Sequence, residues 1–287
     1  MGKSFYFFLL SITIFSIGCE DVIDVDLPTE KPRLVVDAVI RIDTSEAFTM
    51  AQVKIALSSS FFENNDGIDV DMVQIQNLEY VPQSSLDQNF ILLNSEETGV
   101  YRGSKNTNFF TEGPLDLHIN YGEESFYART RFVPSVPIDT LAQGDETLFS
   151  EDETEVKVTF TDIGDRDDFY IIDFGFNEFL VTEDEFYQGQ TFGFSYFYDE
   201  KFESGRELEI GILGADEPFY NYMNQVIVQS GGDQGPFQTP ATTVRGNVFN
   251  VTGIDNMEVL DNVERTNNFA LGYFAVVQEY KKTLTIQ

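Results

Sequence analysis

From Arg33 onward, apolar residues recur at every second position, beginning with Leu34, Val36, Ala38 and Ile40 set against Val35, Asp37, Val39 and Arg41. A period of two puts alternate side chains on opposite faces of a strand, whereas a helix needs apolar residues three and four apart. The chain is therefore read as mainly β. Similar runs at 48–57, 72–78, 90–93, 115–121 and 125–132 are separated by turn-rich pieces such as Asn64-Asn65-Asp66-Gly67 and Tyr121-Gly122-Glu123-Glu124. That spacing predicts an antiparallel, immunoglobulin-like β-sandwich over residues 33–135. The 28 Phe and 13 Tyr point the same way, because aromatic side chains favour a pleated, half-buried surface.

The pattern changes between 136 and 155, where Pro137, Gly144 and the run Glu151-Asp152-Glu153-Thr154-Glu155 interrupt it, and this stretch is read as a linker. Residues 156–287 are expected to form a second antiparallel β-sandwich or barrel-like domain. Its strands show aromatic faces: Tyr170, Ile172, Phe174 and Phe176 in one, Phe192, Phe194, Tyr196 and Tyr198 in another. Such rings either fill a core or offer a stacking platform for a sugar or apolar ligand, and core filling is the simpler reading. Phe219, Tyr222, Met223, Val226 and Ile227 instead fall at helical spacing. With Asp216 as N-cap, Pro218 in the first turn and Gly231-Gly232 at the end, they predict a helix near 217–230. The loop 231–240, with Phe237, is read as a partner contact or a plain connection. Closing strands are expected at 244–251 and 268–277, with an edge strand at 281–286.

Forty-nine acidic residues against 17 basic ones give a formal charge of −32, which excludes nucleic acid as a partner. One Cys and one His exclude an intramolecular disulfide and a Cys/His zinc site. No Gly-x-Ser-x-Gly, phosphate loop or His-Glu-x-x-His motif occurs, so no catalytic residue is assigned and no enzyme is expected. His118 is read as a solvent-facing strand residue. Calcium is the one cofactor with candidate ligands, in two clusters: Asn64, Asp66, Asp69 and Asp71, and Asp162, Asp165, Asp167 and Asp168. Neither cluster follows the twelve-residue calcium loop, and acidic turns on an acidic surface are the simpler reading.

Residues 1–18 read as a signal peptide, with Lys3 followed by an apolar stretch over 5–17 that is too short to cross a bilayer. The ending Ser16-Ile17-Gly18-Cys19 resembles the lipobox of bacterial lipoproteins, which makes Cys19 the expected lipidation site. Ser16 departs from the Leu usual at that place. The alternative is an ordinary secretory signal with an incidental Cys. Residues 19–32 form an acidic tether in which Glu20, Asp21 and Asp24 resemble the surface-export signal of Bacteroidota lipoproteins. The alternative there is a plain solvated linker.

A wider resemblance rests on several pieces taken in order. They are Pro32-Arg33-Leu34-Val35-Val36-Asp37-Ala38, Leu115-Asp116-Leu117-His118-Ile119 with Phe126-Tyr127-Ala128, and Val136-Pro137-Ile138-Asp139-Thr140-Leu141. Phe186-Tyr187-Gln188-Gly189-Gln190-Thr191-Phe192, Gly235-Pro236-Phe237-Gln238-Thr239-Pro240 and Asn268-Phe269-Ala270-Leu271-Gly272-Tyr273-Phe274 follow. Together they resemble the domain-of-unknown-function lipoproteins of the Bacteroidota whose genes neighbour TonB-dependent outer-membrane receptors. The resemblance implies a lipid-anchored, surface-exposed outer-membrane protein that works beside such a β-barrel as an accessory or ligand-capturing subunit. It supplies no catalytic residues. The alternative function is a structural or adhesive envelope lipoprotein that binds no small molecule. The ligand itself is not legible in the sequence.

Overall fold

The period-two alternation becomes β1 (Leu34–Ile42) and β2 (Phe48–Leu57). Along β1, Leu34, Val36, Ala38, Ile40 and Ile42 all face inward and are at most 4% exposed, as the pattern requires. The computed structural model describes residues 32–58, 67–230, 243–254 and 269–287. The signal peptide, Cys19, Glu20, Asp21, Asp24, Asp66 and the loop 231–240 lie outside these described residues.

In the first half β3 (Met72–Asn77), β4 (Phe90–Leu92), β5 (Asn94–Glu97), β6 (Val100–Asn106), α1 (Thr107–Thr111), β7 (Pro114–Tyr121) and β8 (Glu124–Val133) follow. The second half holds β9 (Ile138–Gln143), β10 (Thr154–Thr161), β11 (Phe169–Asp173), β12 (Phe179–Glu183), β13 (Thr191–Tyr198), β14 (Glu207–Ala215), α2 (Glu217–Ser230), β15 (Phe249–Asn250) and β16 (Leu271–Thr285). The fold is mainly β and sandwich-like. β6 escapes the alternation rule because only Tyr101 of its seven residues is buried. α1 is too short for a periodic signal. It is fixed instead by the Asn106 side chain accepting the Asn108 N–H, and by the fully buried Phe109 and Phe110.

One long path orders β4-β3-β7-β8-β16-β1-β2-β6-β5, and β12-β11-β14 branches from β16. β13-β10-β9 form a separate three-stranded sheet. The stretch read as a linker thus carries β9, paired to β10. Two pairings are parallel rather than antiparallel, β1 with β16 and β16 with β8. β1 and β16 come from opposite ends of the chain, so no hairpin imposes their direction.

β16 is a single strand of 15 residues where two strands were expected. Its first part, Leu271 to Gln278, pairs with β1, and from Glu279 to Thr285 it pairs with β14. Polar Gln278, which lies between the two expected strands, is absorbed by hydrogen bonding. Buried Gln278 accepts the Ser135 N–H at 3.0 Å and donates to Thr44 Oγ1 at 2.9 Å and to the Tyr280 hydroxyl at 2.8 Å.

Two cores result. One gathers β1, β2, β3, β7 and β8 around Ile40, Ile55, Ile75 and Phe109, and takes Phe274 and Val276 from β16. The other encloses Val158, Phe160, Tyr170, Phe174, Tyr198 and Ile212, with Tyr280, Leu284 and Ile286 from the chain end. Full burial of each such side chain is worth about 1.5–3 kcal/mol. Residues 32–287 form one compact unit, since β16 serves both cores. Among the described residues no helix is long and apolar enough to cross a membrane.

Candidate functional site

α2 begins as its sequence requires, with the Phe219 N–H donating to Asp216 Oδ1 at 2.9 Å. Its first turn drives Phe219 into a seam with Ile171, Leu213, Ala215 and Tyr273. Phe219 and Tyr222 each bring a ring centroid to 4.9 Å from that of Tyr273, tilted by 34° and 40°. Beyond that seam the helix is only partly covered, and Tyr222, Met223, Val226 and Ile227 stay half-buried.

Between α2 and the outer faces of β1 and β2 lies a groove of about 700 Å³. Val35, Val39, Met50, Phe179, Tyr222 and Met223 contribute apolar surface, while Asp37, Gln52, Lys54 and Asn177 contribute polar groups. Met50 is 56% exposed, and its neighbour on the same face of β2, Phe48, is 66% exposed. Arg41 also lines the groove, but its guanidinium is committed to Asp173 at 2.5 Å and Glu279 at 2.9 Å. Burial pushes the Tyr222 phenol above its ordinary range, and the Asp37 charge adds to the effect. A concave, mostly apolar surface with a few polar groups is the usual form of a small-molecule site.

A second arrangement joins three strand ends. Asp162, Asp168 and Asp184 are buried, and one oxygen from each lies within 4.8 Å of the others. Oxygen donors so spaced are chemically suited to a hard cation. Each carboxylate, however, has a protein donor. Tyr170 donates to Asp162 at 2.6 Å and to Asp168 at 3.0 Å, and the Gly189 N–H reaches Asp162 at 2.7 Å. The Asp168 N–H donates to Asp184 at 2.9 Å, and Arg166 Nε reaches Asp168 at 2.6 Å. Burial raises the Asp168 pKa; Arg166 and Tyr170 oppose this, and neighbouring Asp162 adds to it. Arg166 supplies local positive charge, while its Nη2 is buried without a hydrogen-bond partner. The cluster pins the ends of β10, β11 and β12 together.

Of the second cluster named from the sequence, the structure brings Asp162 and Asp168 together and leaves Asp165 and Asp167 outside; of the first, Asn64 and Asp66 lie outside the described residues. Asp69 and Asp165 are exposed singly. Asp71 accepts the Gly122 N–H at 2.7 Å and so caps the β7–β8 turn, and Asp167 accepts from Gln188 at 3.2 Å. Asp184 was missed. Its signal lies in the β11–β12 hairpin, whose pairing of Phe169 with Glu183 sets Asp168 beside Asp184. His118 is half-buried rather than solvent-facing, with its ring edge-on to Tyr127 at 5.2 Å. Burial lowers its pKa, with Asp116 opposing and Arg129 reinforcing. The aromatic faces pack on the core: Tyr170, Phe174 and Tyr198 are at most 1% exposed, while Phe192, Phe194 and Tyr196 are half-buried against the same cluster. Phe176 departs from this by leaving the strand for a turn.

No curated protein matches the sequence. Among solved structures, the crystal structure of red sea bream transglutaminase resembles 66% of this chain and 29% of that one, at 8% identity and a TM-score of 0.20. That likeness is too slight to bear on fold or activity. The family model for a domain of unknown function, DUF4249, matches residues 20–283, and the chain belongs to that family.

Proposed function

We propose that this protein is a non-enzymatic, surface-exposed outer-membrane lipoprotein that acts as an accessory or ligand-capturing subunit of a TonB-dependent uptake system. The groove between α2 and the β1–β2 face is its capture site. That groove is the observation that carries the reading, because its volume and apolar lining suit a small ligand with an apolar body. The sequence supports the address: Gly18-Cys19 closes an apolar leader, and Glu20, Asp21 and Asp24 follow directly. A lipid on Cys19 confines the protein to the membrane plane and raises its effective concentration near a barrel partner. A charge of −32 steers it toward basic extracellular loops.

The chain has no Trp, so Tyr222→Trp places a single fluorescent reporter on the groove wall. Decanoate, decanol and decyltrimethylammonium serve as probes that share an apolar chain and differ in head charge. A saturable emission shift with at least one probe, abolished when Val39→Glu puts a charge into the groove, is expected. No saturable shift with any of them would favour the structural or adhesive envelope role.

A further inference from the structure

The hairpin joining β11 to β12 turns through Gly175, Phe176, Asn177 and Glu178, closed by the Glu178 N–H donating to the Gly175 carbonyl at 2.8 Å. Phe176 and Asn177 both occupy the left-handed region, at φ 53° and 63°. Asn and Gly fill such two-residue turns with little strain, whereas an aromatic residue there is strained. The strain does not serve burial, since Phe176 is 55% exposed. It holds a ring at the surface, and strained positions of this kind concentrate at binding sites.

That ring is part of a trio. Phe176 meets Phe202 with centroids 5.8 Å apart at 22°, and Tyr198 at 6.2 Å and 86°; Tyr198 and Phe202 meet at 5.0 Å. Beside them opens a pocket of about 210 Å³, lined by these three rings and by Glu178, Asp199 and Glu200. The Glu178 carboxylate is oriented by the Tyr196 hydroxyl, while Asp199 and Glu200 are exposed. Neither Lys nor Arg belongs to the lining. Ring faces and carboxylates both favour positive charge, and rings favour a cation that carries carbon rather than a bare metal ion. Arg206, outside the lining, already holds its guanidinium 5.7 Å from the Phe176 ring centre, so this ring draws a cation within the fold itself.

We propose that this pocket binds an organic cation, taking an ammonium or guanidinium head against the accessible Phe176 and Phe202 rings, which buried Tyr198 backs, and its charge against the carboxylates. The head belongs either to a free small molecule or to a basic side chain of a peptide segment. The pocket shares no lining residue with the groove. Its failure would therefore leave the capture reading standing, and the reverse also holds.

Calorimetry and ring-proton NMR on the full mature chain provide the test, with choline, its neutral carbon isostere dimethylbutanol, and a short peptide containing one lysine and one arginine. Choline or the peptide should bind saturably, and the isostere about tenfold more weakly or not at all, since the charge on the ring face is the discriminating term. Phe176→Asn relieves the turn while removing the ring, and should weaken binding about fivefold or more with no loss of thermal stability. Asp199→Asn with Glu200→Gln should weaken it further and flatten its salt dependence. Tighter binding of the peptide than of choline identifies a basic side chain as the source, and the opposite order identifies a free cation. Equal binding of choline and its isostere, undiminished binding by Phe176→Asn, or no saturable binding of choline or peptide would overturn the proposal.

Discussion

Arg41→Met removes the guanidinium that ties β1 to β11 and β16 while keeping the apolar stem. Arg41 donates to Asp173 at 2.5 Å and to Glu279 at 2.9 Å, and the side chains are 35%, 16% and 7% exposed respectively. Burial alone would lower the Arg41 pKa, but Glu279 and Asp173 outweigh it and the net direction is upward. Each charge-assisted bond is worth about 1.5–3 kcal/mol when well shielded. One-third exposure of Arg41 screens the pair, and Lys281, 3.8 Å from Glu279, takes over part of the neutralisation. Loss of the guanidinium still leaves a nearly buried Glu279 close to Asp173, and the net cost is about 2–3 kcal/mol. For a unit of this size that lowers the melting temperature by about 5–10 °C. Calorimetry should show one transition, shifted as a whole, because β16 belongs to both cores. A double-mutant cycle with Glu279→Gln should give a coupling of about 1 kcal/mol or more. A change below about 0.5 kcal/mol, or strict additivity in the cycle, would refute the assignment of Arg41 as the tie between strands.

Gly272→Ala should destabilise severely, by about 3 kcal/mol or more, because Gly272 has φ +94° and an added Cβ would sit 1.9 Å from the Val36 carbonyl oxygen. Urea unfolding of whatever soluble protein is recovered measures it. Burial pushes the Glu155 carboxyl up, but the Ser195 hydroxyl, the Glu146 N–H and Lys157 together hold it below the ordinary value. Its contribution is therefore present above the unfolded pKa and is lost as pH falls through the lower folded one. Glu155→Gln should flatten the decline in stability below about pH 5, as read from urea midpoints. Chelator should move the melting temperature of the wild type by no more than about 1 °C. A fall of several degrees that Asp184→Asn abolishes would show that Asp162, Asp168 and Asp184 hold a cation despite their protein donors.

Local pattern carried much of the architecture. β1 and most of β2 alternate because one face is dry, and α2 is marked by Asp216 and by apolar residues at helical spacing. The parallel pairing of β1 with β16 is not encoded locally, since nothing in either segment specifies direction for partners so far apart in the chain. Gln278 falls between the two expected strands, and Ser135, Thr44 and Tyr280, which satisfy its polarity inside one continuous strand, are not evident from its local sequence. The groove was hidden for a similar reason. Val35, Val39 and Met50 each look like ordinary strand residues until α2 is set above them. Asp184 likewise joins Asp168 only through hairpin register.

The most direct test of the functional account is recovery of the full-length protein, through a C-terminal tag, from outer membranes solubilised in mild detergent. A TonB-dependent β-barrel should accompany it at a reproducible ratio, and the yield of the pair should fall at high salt as basic loops are screened from the acidic surface. Cys19→Ala, which removes the proposed lipidation site, should abolish both membrane retention and the pair. Recovery of the wild-type protein alone across low and high salt would contradict the partnership and leave the structural or adhesive role.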